Sequence, residues 1–171
     1  MTAFDPGALL EVLHRHDVQY VLIGGLAAAL RGSAAPTFDV DITPDASSGN
    51  LARLSAALTD LDARIRVDGI PGGLAFSHDA ASLAQMTMLN LVTLLGDLDV
   101  AFHPSGAGDY SRWEAGASSV TVLGVPVQVA SLDDIIRSKE AAGRDKDRLQ
   151  LPLLRALQQR QRPPDKPPDG I

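Results

Sequence analysis

The segment from residue 20 to residue 43 constrains the fold more than any other part of the chain. It opens within an apolar run, 18–23, that predicts a strand covered on both faces. The glycine pair Gly24 and Gly25 then leads into an alanine-rich run that favours a short helix. Apolar and acidic residues alternate over 38–42, which is the period of a second strand. The segment therefore places a glycine turn and two acidic residues close together.

The rest of the chain alternates predicted helices with predicted strands. Helices are predicted to open at Asp5-Pro6 and to span 26–30, 47–60, 110–115, 132–142 and 145–159, and strands to span 63–67, 89–95, 98–102, 120–123 and 125–129. Turns are expected at 71–73, at Gly96-Asp97 and at Gly124, with Pro126 at a sheet edge. This order favours an α/β (α+β) domain in which helices flank a mixed sheet.

The composition indicates a globular chain. Its 171 residues are 45% hydrophobic and 21% charged, which suits one domain, predicted over 1–160, and a proline-rich disordered tail over 161–171. No apolar run reaches the roughly 20 residues of a membrane helix, so we expect a cytoplasmic protein without a membrane partner. The net charge of −6 disfavours non-specific binding to duplex nucleic acid. Because there is no cysteine, a metal ion needs oxygen or imidazole ligands.

Asp39 and Asp41 are the first candidates for such ligands. Residues two apart on a strand leave the same face, about 6 to 7 Å from each other. Two carboxylates that close repel each other unless a cation lies between them, and Mg²⁺ is the usual cation for oxygen ligands. Burial of Phe38, Val40 and Ile42 on the other face is expected to fix the strand. A solvated strand face without a metal ion is the alternative.

Two further features complete the proposed site. Gly24 and Gly25 lie where a buried strand turns into a helix, and backbone amides at such a place favour a phosphate. A simple tight turn is the alternative explanation for them. Asp99 lies between apolar neighbours on a predicted strand and is the best third carboxylate, with Asp97 on the same face as the second choice. A phosphate cradle beside an acidic strand is able to hold a nucleoside triphosphate and its metal ions.

These motifs resemble those of a known family. Gly24-Gly25, then Thr-Phe-Asp-Val-Asp at 37–41, then Gly-Asp-Leu-Asp-Val at 96–100 look like the minimal nucleotidyltransferases of the DNA polymerase beta superfamily. Segment 132–147 is similar to the abortive-infection branch, the nucleotidyltransferase toxins of toxin/antitoxin pairs. The likeness spans roughly 18–157. The family often has a basic residue in place of Phe38, and Gly-Ser in place of the glycine pair.

The resemblance implies a nucleotidyltransferase-like mixed sheet with C-terminal helices, and it assigns roles to individual residues. Three carboxylates would bind two Mg²⁺ ions, with Mn²⁺ as an alternative metal: Asp39, Asp41 and Asp99. Four residues would lie at the nucleotide, the lysine contacting phosphate: Gly24, Gly25, Lys139 and Asp147. The residues alone equally allow an exposed Lys139 that pairs with Glu140 or Asp134.

The implied activity is transfer of a nucleoside monophosphate from a nucleoside triphosphate to a hydroxyl group of RNA (tRNA) or protein. One Mg²⁺ would be held by Asp39 and Asp41 with the triphosphate, and a second, shared with Asp99, would activate the acceptor. The toxin branch also implies a cognate antitoxin as a partner. Two alternatives stay open: a non-catalytic nucleotide-binding or partner-binding module of the same fold, and a phosphotransferase that acts on the γ-phosphate.

Overall fold

The structure is a computed structural model that describes residues 3–106 and 108–163. A mixed β-sheet of eight strands runs through this part of the protein. The strands are β1 (Tyr20–Ile23), β2 (Asp39–Pro44), β3 (Arg64–Val67), β4 (Ile70–Leu74), β5 (Met88–Thr93), β6 (Gly96–Ala101), β7 (Ser118–Val122) and β8 (Val125–Val129). Their order across the sheet is β4-β3-β5-β6-β2-β1-β8-β7. The β2–β6 and β1–β8 pairs are parallel, and the other pairs are antiparallel.

Helices cover this sheet, which confirms the predicted α/β (α+β) class. They are α1 (Pro6–Arg15), α2 (Gly24–Leu30), α3 (Ser48–Asp60), α4 (Ala80–Leu83), α5 (Tyr110–Gly116), α6 (Leu132–Ala142) and α7 (Asp145–Gln161). Helix α1 packs against α3 and β8, whereas α2 and α5 pack against β1 and β2. Strand β2, which carries Asp39 and Asp41, therefore lies under helices α2 and α5.

The parallel pairing of β2 with β6 sets the positions of the acidic residues. In this register Asp41 lies beside Asp99. The residues just before them, Val40 and Leu98, have no exposed surface. Successive side chains of a strand point to opposite faces, so burying these apolar residues turns the two carboxylates together to the other face.

Two of the predicted turns are wrong. Segment 71–73 lies within β4, and the chain reverses at 68–69 instead, where Gly69 has a φ of +80°. Gly96-Asp97 opens β6, and the preceding turn falls on the apolar pair at 94–95. Thr93 explains the second difference, because its hydroxyl accepts a hydrogen bond from the amide of residue 95 and donates one to the carbonyl of residue 96. A side chain outside the glycine motif therefore determines where this turn forms.

The prediction that Pro126 marks an edge strand is also wrong. The edge is β7, and β8 lies between β7 and β1. Strand β1 pairs with β8 at Leu22 and Val129, toward the end of β8. Pro126 lies beyond that pairing, where its missing amide is tolerated.

Helix α6 has the start and the end that the sequence predicts. Ser131 accepts a hydrogen bond from the amide of Asp134 (3.1 Å), and Gly143 ends the helix in the left-handed conformation with a φ of +61°. The carboxylate of Asp134 is buried and pairs with Arg137 at 2.6 Å. These contacts fix the rotation of α6 and hence the direction in which Lys139 points.

The C-terminal region is described as far as residue 163. Helix α7 runs to Gln161, where the disordered tail was predicted to begin, and 164–171 lie outside the described residues. The single domain over 1–160 stays a prediction. Among the helices of the described residues, none has the length and apolar character needed to cross a membrane.

Asn50 provides a test of how the edge of this core is held. Its side chain is fully buried, accepts a hydrogen bond from the amide of Gln19 (2.7 Å) and donates to the carbonyls of Gln19 and Asp45. We expect Asn50→Ala to lower the free energy of unfolding by roughly 2 kcal/mol, because the Gln19 amide and the Asp45 carbonyl lose their partner, whereas the Gln19 carbonyl keeps its hydrogen bond from the Asp45 amide. Urea unfolding measures this. The exposed amide variant Gln85→Ala serves as the control, and an equal loss in both variants would contradict the prediction.

Candidate active site

Three carboxylates from two strands meet on one face of the sheet. Asp39 and Asp41 come from β2, and Asp99 comes from β6. One carboxylate oxygen of each lies within 4.8 Å of the corresponding oxygens of the other two. Within 3–106 and 108–163, this is the one group of three or more acidic or histidine side chains close enough to share a metal ion. The fold thus brings together the three residues that the sequence proposes as metal ligands.

The carboxylates of this group repel one another electrostatically. Burial, together with the negative charges of Asp39 and Asp99, raises the pKa of Asp41 to about 7. Burial also raises the pKa of Asp99, although the Arg66 guanidinium opposes the rise. A cation placed among the carboxylates would relieve this repulsion. The electrostatics therefore favour cation binding at this position.

The donor set fits a hard divalent cation. Carboxylate oxygens are the ligands that Mg²⁺ and Mn²⁺ take in proteins. Three oxygens within 4.8 Å of one another share a central point at most about 2.8 Å from each, so each needs to move by roughly an ångström or less to reach the distance of about 2.1 Å at which Mg²⁺ binds oxygen. Asp39, Asp41 and Asp99 are therefore the residues that would hold Mg²⁺ or Mn²⁺.

The glycine turn lies directly against these carboxylates. Gly24 has a φ of +67°, and a Cβ atom there would come within 2.1 Å of Oδ2 of Asp41. A Cβ atom on Gly25 would come within 2.7 Å of the Thr37 hydroxyl, which donates a hydrogen bond to Asp39 (3.1 Å). The backbone amide of Gly25 also acts to lower the pKa of Asp41. The close approach of the backbone to the acidic residues is thus sufficient reason for both glycines.

Lys139 lies in a largely buried ion pair on α6. Its ammonium group is 3.2 Å from the carboxylate of Asp147, which has no exposed surface and also binds Arg144 at 2.7 Å. Burial acts to raise the pKa of Asp147, but Arg144 and Lys139 outweigh it and hold this pKa below the ordinary value. The Lys139 side chain is 12% exposed. An exposed lysine paired with Glu140 or Asp134 is therefore the wrong description.

A cavity of about 730 Å³ joins the carboxylates to the basic residues of the C-terminal helices. Its acidic wall comes from the sheet: Asp39, Asp41 and Asp99. Its basic wall comes from α6, the following turn and the start of α7: Lys139, Arg144 and Lys146. Lys146 is close enough to lower the pKa of Asp41. Asp147 does not line the cavity, and its place in the site is that of a partner which holds Lys139.

Arg66 is the site residue that the sequence reasoning missed. It reaches from β3 over β5 to β6, where it binds Asp97 at 2.6 Å and Asp99 at 2.8 Å. Asp97 is thereby occupied by an arginine and lies outside the three-carboxylate group. The alternation of Arg64 and Arg66 on one face of a strand was visible in the sequence. Nothing in that pattern indicated which strands would separate Arg66 from Asp99.

Phe38 does not have the buried position predicted for it. Strand β2 begins one residue later, at Asp39, so Phe38 precedes the alternation that buries Val40 and Ile42. Its ring is 74% exposed and lines the cavity. The strand is held by the two apolar residues that follow.

Comparison with known proteins places the fold among nucleotidyltransferases. The lincosamide antibiotic adenylyltransferase LnuA, solved with lincomycin bound, shares 17% identity at a TM-score of 0.58, with 92% of this chain and 99% of that one covered. The antibiotic-resistance factor ANT(2'')-Ia shares 16% identity at a TM-score of 0.54, with 88% of this chain and 82% of that one covered. An antigenic nucleotidyltransferase-like protein from Paracoccidioides brasiliensis shares 18% identity at a TM-score of 0.52, with 88% of this chain and 72% of that one covered.

At the level of sequence, no protein-family model and no curated protein matches the chain. The likeness is therefore one of fold. It confirms the predicted nucleotidyltransferase-like mixed sheet flanked by helices, and the site within that fold is described by this chain's own residues.

The raised pKa of Asp41 predicts how pH affects the metal-free protein. Between about pH 4 and pH 7 the folded state keeps a proton on Asp41 that the unfolded state has lost, so this residue makes the fold less stable as the pH rises through that range. Asp41→Asn removes the charge. We expect it to raise Tm by roughly 5 °C at pH 8 and by much less at pH 5, where Asp41 is already protonated.

Thermal unfolding in EDTA at both pH values measures this difference. The matched control is Asp68→Asn, which makes the same change on an exposed residue of the β3–β4 turn. A gain for Asp41→Asn that is equal at pH 5 and pH 8, or a loss at pH 8, would contradict the prediction.

Proposed function

We propose that the protein is a nucleotidyltransferase that moves a nucleoside monophosphate from a nucleoside triphosphate to a hydroxyl group. The observation that supports this proposal is that an acidic wall and a basic wall face each other across one cavity. Three carboxylates that fit a divalent cation face three cationic side chains, and this arrangement complements a metal-bound triphosphate. The fold shared with LnuA and ANT(2'')-Ia supports the same class of reaction.

The residues of the chain have distinct tasks in this reaction. Asp39 and Asp41 would hold the cation that accompanies the triphosphate, and Lys139 would bind phosphate oxygens from the opposite wall. When bound, Mg²⁺ supplies charge stabilisation for the entering and leaving oxygens, as one ion or as the pair that the resemblance implies. The backbone at Gly24 and Gly25 keeps the space beside Asp41 free of side chains.

Asp99 is the residue assigned to the acceptor. The acceptor hydroxyl forms a bond to the α-phosphorus, the bond from that phosphorus to pyrophosphate breaks, and the hydroxyl proton passes to a base. Asp99 would hold a cation beside this hydroxyl, where the cation would lower the pKa of the hydroxyl and ease loss of its proton to water. The carboxylate is 13% exposed and lines the cavity, so a hydroxyl group is able to reach it.

The acceptor proposed first is an RNA, with tRNA as the leading case, or a protein hydroxyl. This choice follows the resemblance of 132–147 to the toxin branch, and it carries with it a cognate antitoxin as partner and a cytoplasmic location. A small hydroxyl compound is the second acceptor class. The fold of LnuA, a lincosamide adenylyltransferase, favours that second class.

Transfer itself is tested by incubating each α-³²P-labelled nucleoside triphosphate with Mg²⁺ and a panel of tRNA, protein and small hydroxyl acceptors. We expect labelled acceptor and pyrophosphate. The Asp39→Asn, Asp41→Asn double variant should lose at least about a hundredfold in rate, because both ligands of the triphosphate cation are gone. Asp68→Asn is the matched control. Equal labelling by the wild type and the double variant would remove the assignment.

The products separate the alternatives. A nucleoside diphosphate in place of pyrophosphate would identify a phosphotransferase that acts on the γ-phosphate. Triphosphate binding in calorimetry that needs no divalent cation, without any labelled product, would identify a non-catalytic binding module.

Lys139 gives a second prediction. Lys139→Met should raise the KM for the triphosphate by about tenfold while changing kcat less, since it removes one charge-assisted contact to phosphate. Calorimetry of triphosphate binding gives an independent measurement. The control is Arg148→Met, which removes one positive charge from an exposed position on the same helical hairpin. Equal affinities for Lys139→Met and Arg148→Met would mean that Lys139 serves only to neutralise Asp147.

A further inference from the structure

Arg66 joins two carboxylates of β6 with the two arms of one guanidinium group. One nitrogen lies 2.6 Å from Oδ2 of Asp97 and the other lies 2.8 Å from Oδ1 of Asp99. Such a forked contact fixes both carboxylates more rigidly than a single hydrogen bond does. Because Arg66 contacts one oxygen of Asp99, the same carboxylate keeps Oδ2 for a cation.

Asp97 serves as the anchor of this arrangement. It is paired with Asp39 in the register of the sheet, yet its carboxylate is turned toward Arg66 and stays outside the group of three. The Arg66 side chain is 34% exposed, so packing alone does not hold it in place. The contact with Asp97 therefore determines where the guanidinium lies relative to Asp99.

We propose that Arg66 is a positioning residue which, anchored by Asp97, fixes the orientation of Asp99 while weakening cation binding at that carboxylate. The second effect is electrostatic, because a positive charge in contact with a metal ligand repels the metal ion. The two effects have opposite signs, one favouring turnover and the other opposing metal affinity. The effect on turnover rests on the proposed nucleotidyl transfer, whereas the effect on metal binding does not.

Removing the arginine should therefore separate affinity from activity. In Arg66→Gln, we expect Mn²⁺ to bind about tenfold more tightly in the absence of nucleotide, since the repelling charge is gone. The same variant should lose about tenfold or more in kcat for pyrophosphate release, with the KM for the triphosphate changed less than about twofold. A residue that merely stabilised the fold would lower both the metal affinity and the activity.

Arg66→Lys keeps the charge and loses the fork. It should bind Mn²⁺ within about twofold of the wild type and show a lowered kcat. Arg64→Gln is the matched control, because Arg64 lies on the same strand and pairs with Asp62 at the surface, 3.5 Å away. Its Mn²⁺ affinity and kcat should both stay within about twofold of the wild type.

Mn²⁺ titration of the full chain, followed by electron paramagnetic resonance, reads the metal effect directly, and circular dichroism confirms folding. Mn²⁺ affinity that is unchanged or weaker in folded Arg66→Gln overturns the proposal. If Arg66→Gln does not fold, a wild-type kcat in Arg66→Lys overturns it. If the wild type transfers no nucleotide at all, the proposed function fails, and the Mn²⁺ titration still decides whether Arg66 weakens cation binding.

Discussion

The parallel pairing of β2 with β6 is the constraint on which the site depends. It is the contact that places Asp99 beside Asp41, and burial of Val40 and Leu98 on the opposite face fixes its register. A shift of one residue would turn Asp99 into the core and bring an apolar side chain out in its place. Packing of the apolar face of these two strands thus determines which carboxylates lie next to each other on the polar face.

Charge balance organises what surrounds this pairing. Arg66 approaches the carboxylates from the β3 side, and Lys146 acts on Asp41 from the side of the C-terminal helices. Neither cation lies among the three carboxylates, so the repulsion within the group is reduced but not removed. The raised pKa of Asp41 is the residual effect. A metal ion bound among the three carboxylates would neutralise the negative charge that Arg66 and Lys146 leave uncompensated.

Much of this arrangement was predictable from local patterns, and the remainder was not. Alternation placed Asp39, Asp41 and Asp99 on the faces they occupy, because period two depends only on neighbouring residues. The contact of Arg66 with Asp99 depends on strand order, which no local pattern specifies. The burial of the Lys139 pair depends on how α7 returns to α6. The prediction of a buried Phe38 was wrong for a smaller reason. Strand ends are set by hydrogen bonds, and β2 begins one residue later than predicted, which leaves the Phe38 ring in the cavity and not in the core.

The separation of the site residues along the chain has a consequence for biosynthesis and folding. Asp39 and Asp41 emerge early in synthesis, Asp99 emerges much later, and Lys139 with Asp147 comes near the end of the described residues. Contacts between distant segments form late, because the loop between them must close first. A nascent or truncated chain therefore carries two acidic residues without the third carboxylate or the basic wall. We therefore expect the chemistry of the cavity only from a chain in which both the β6 strand and the C-terminal helices have folded onto β2.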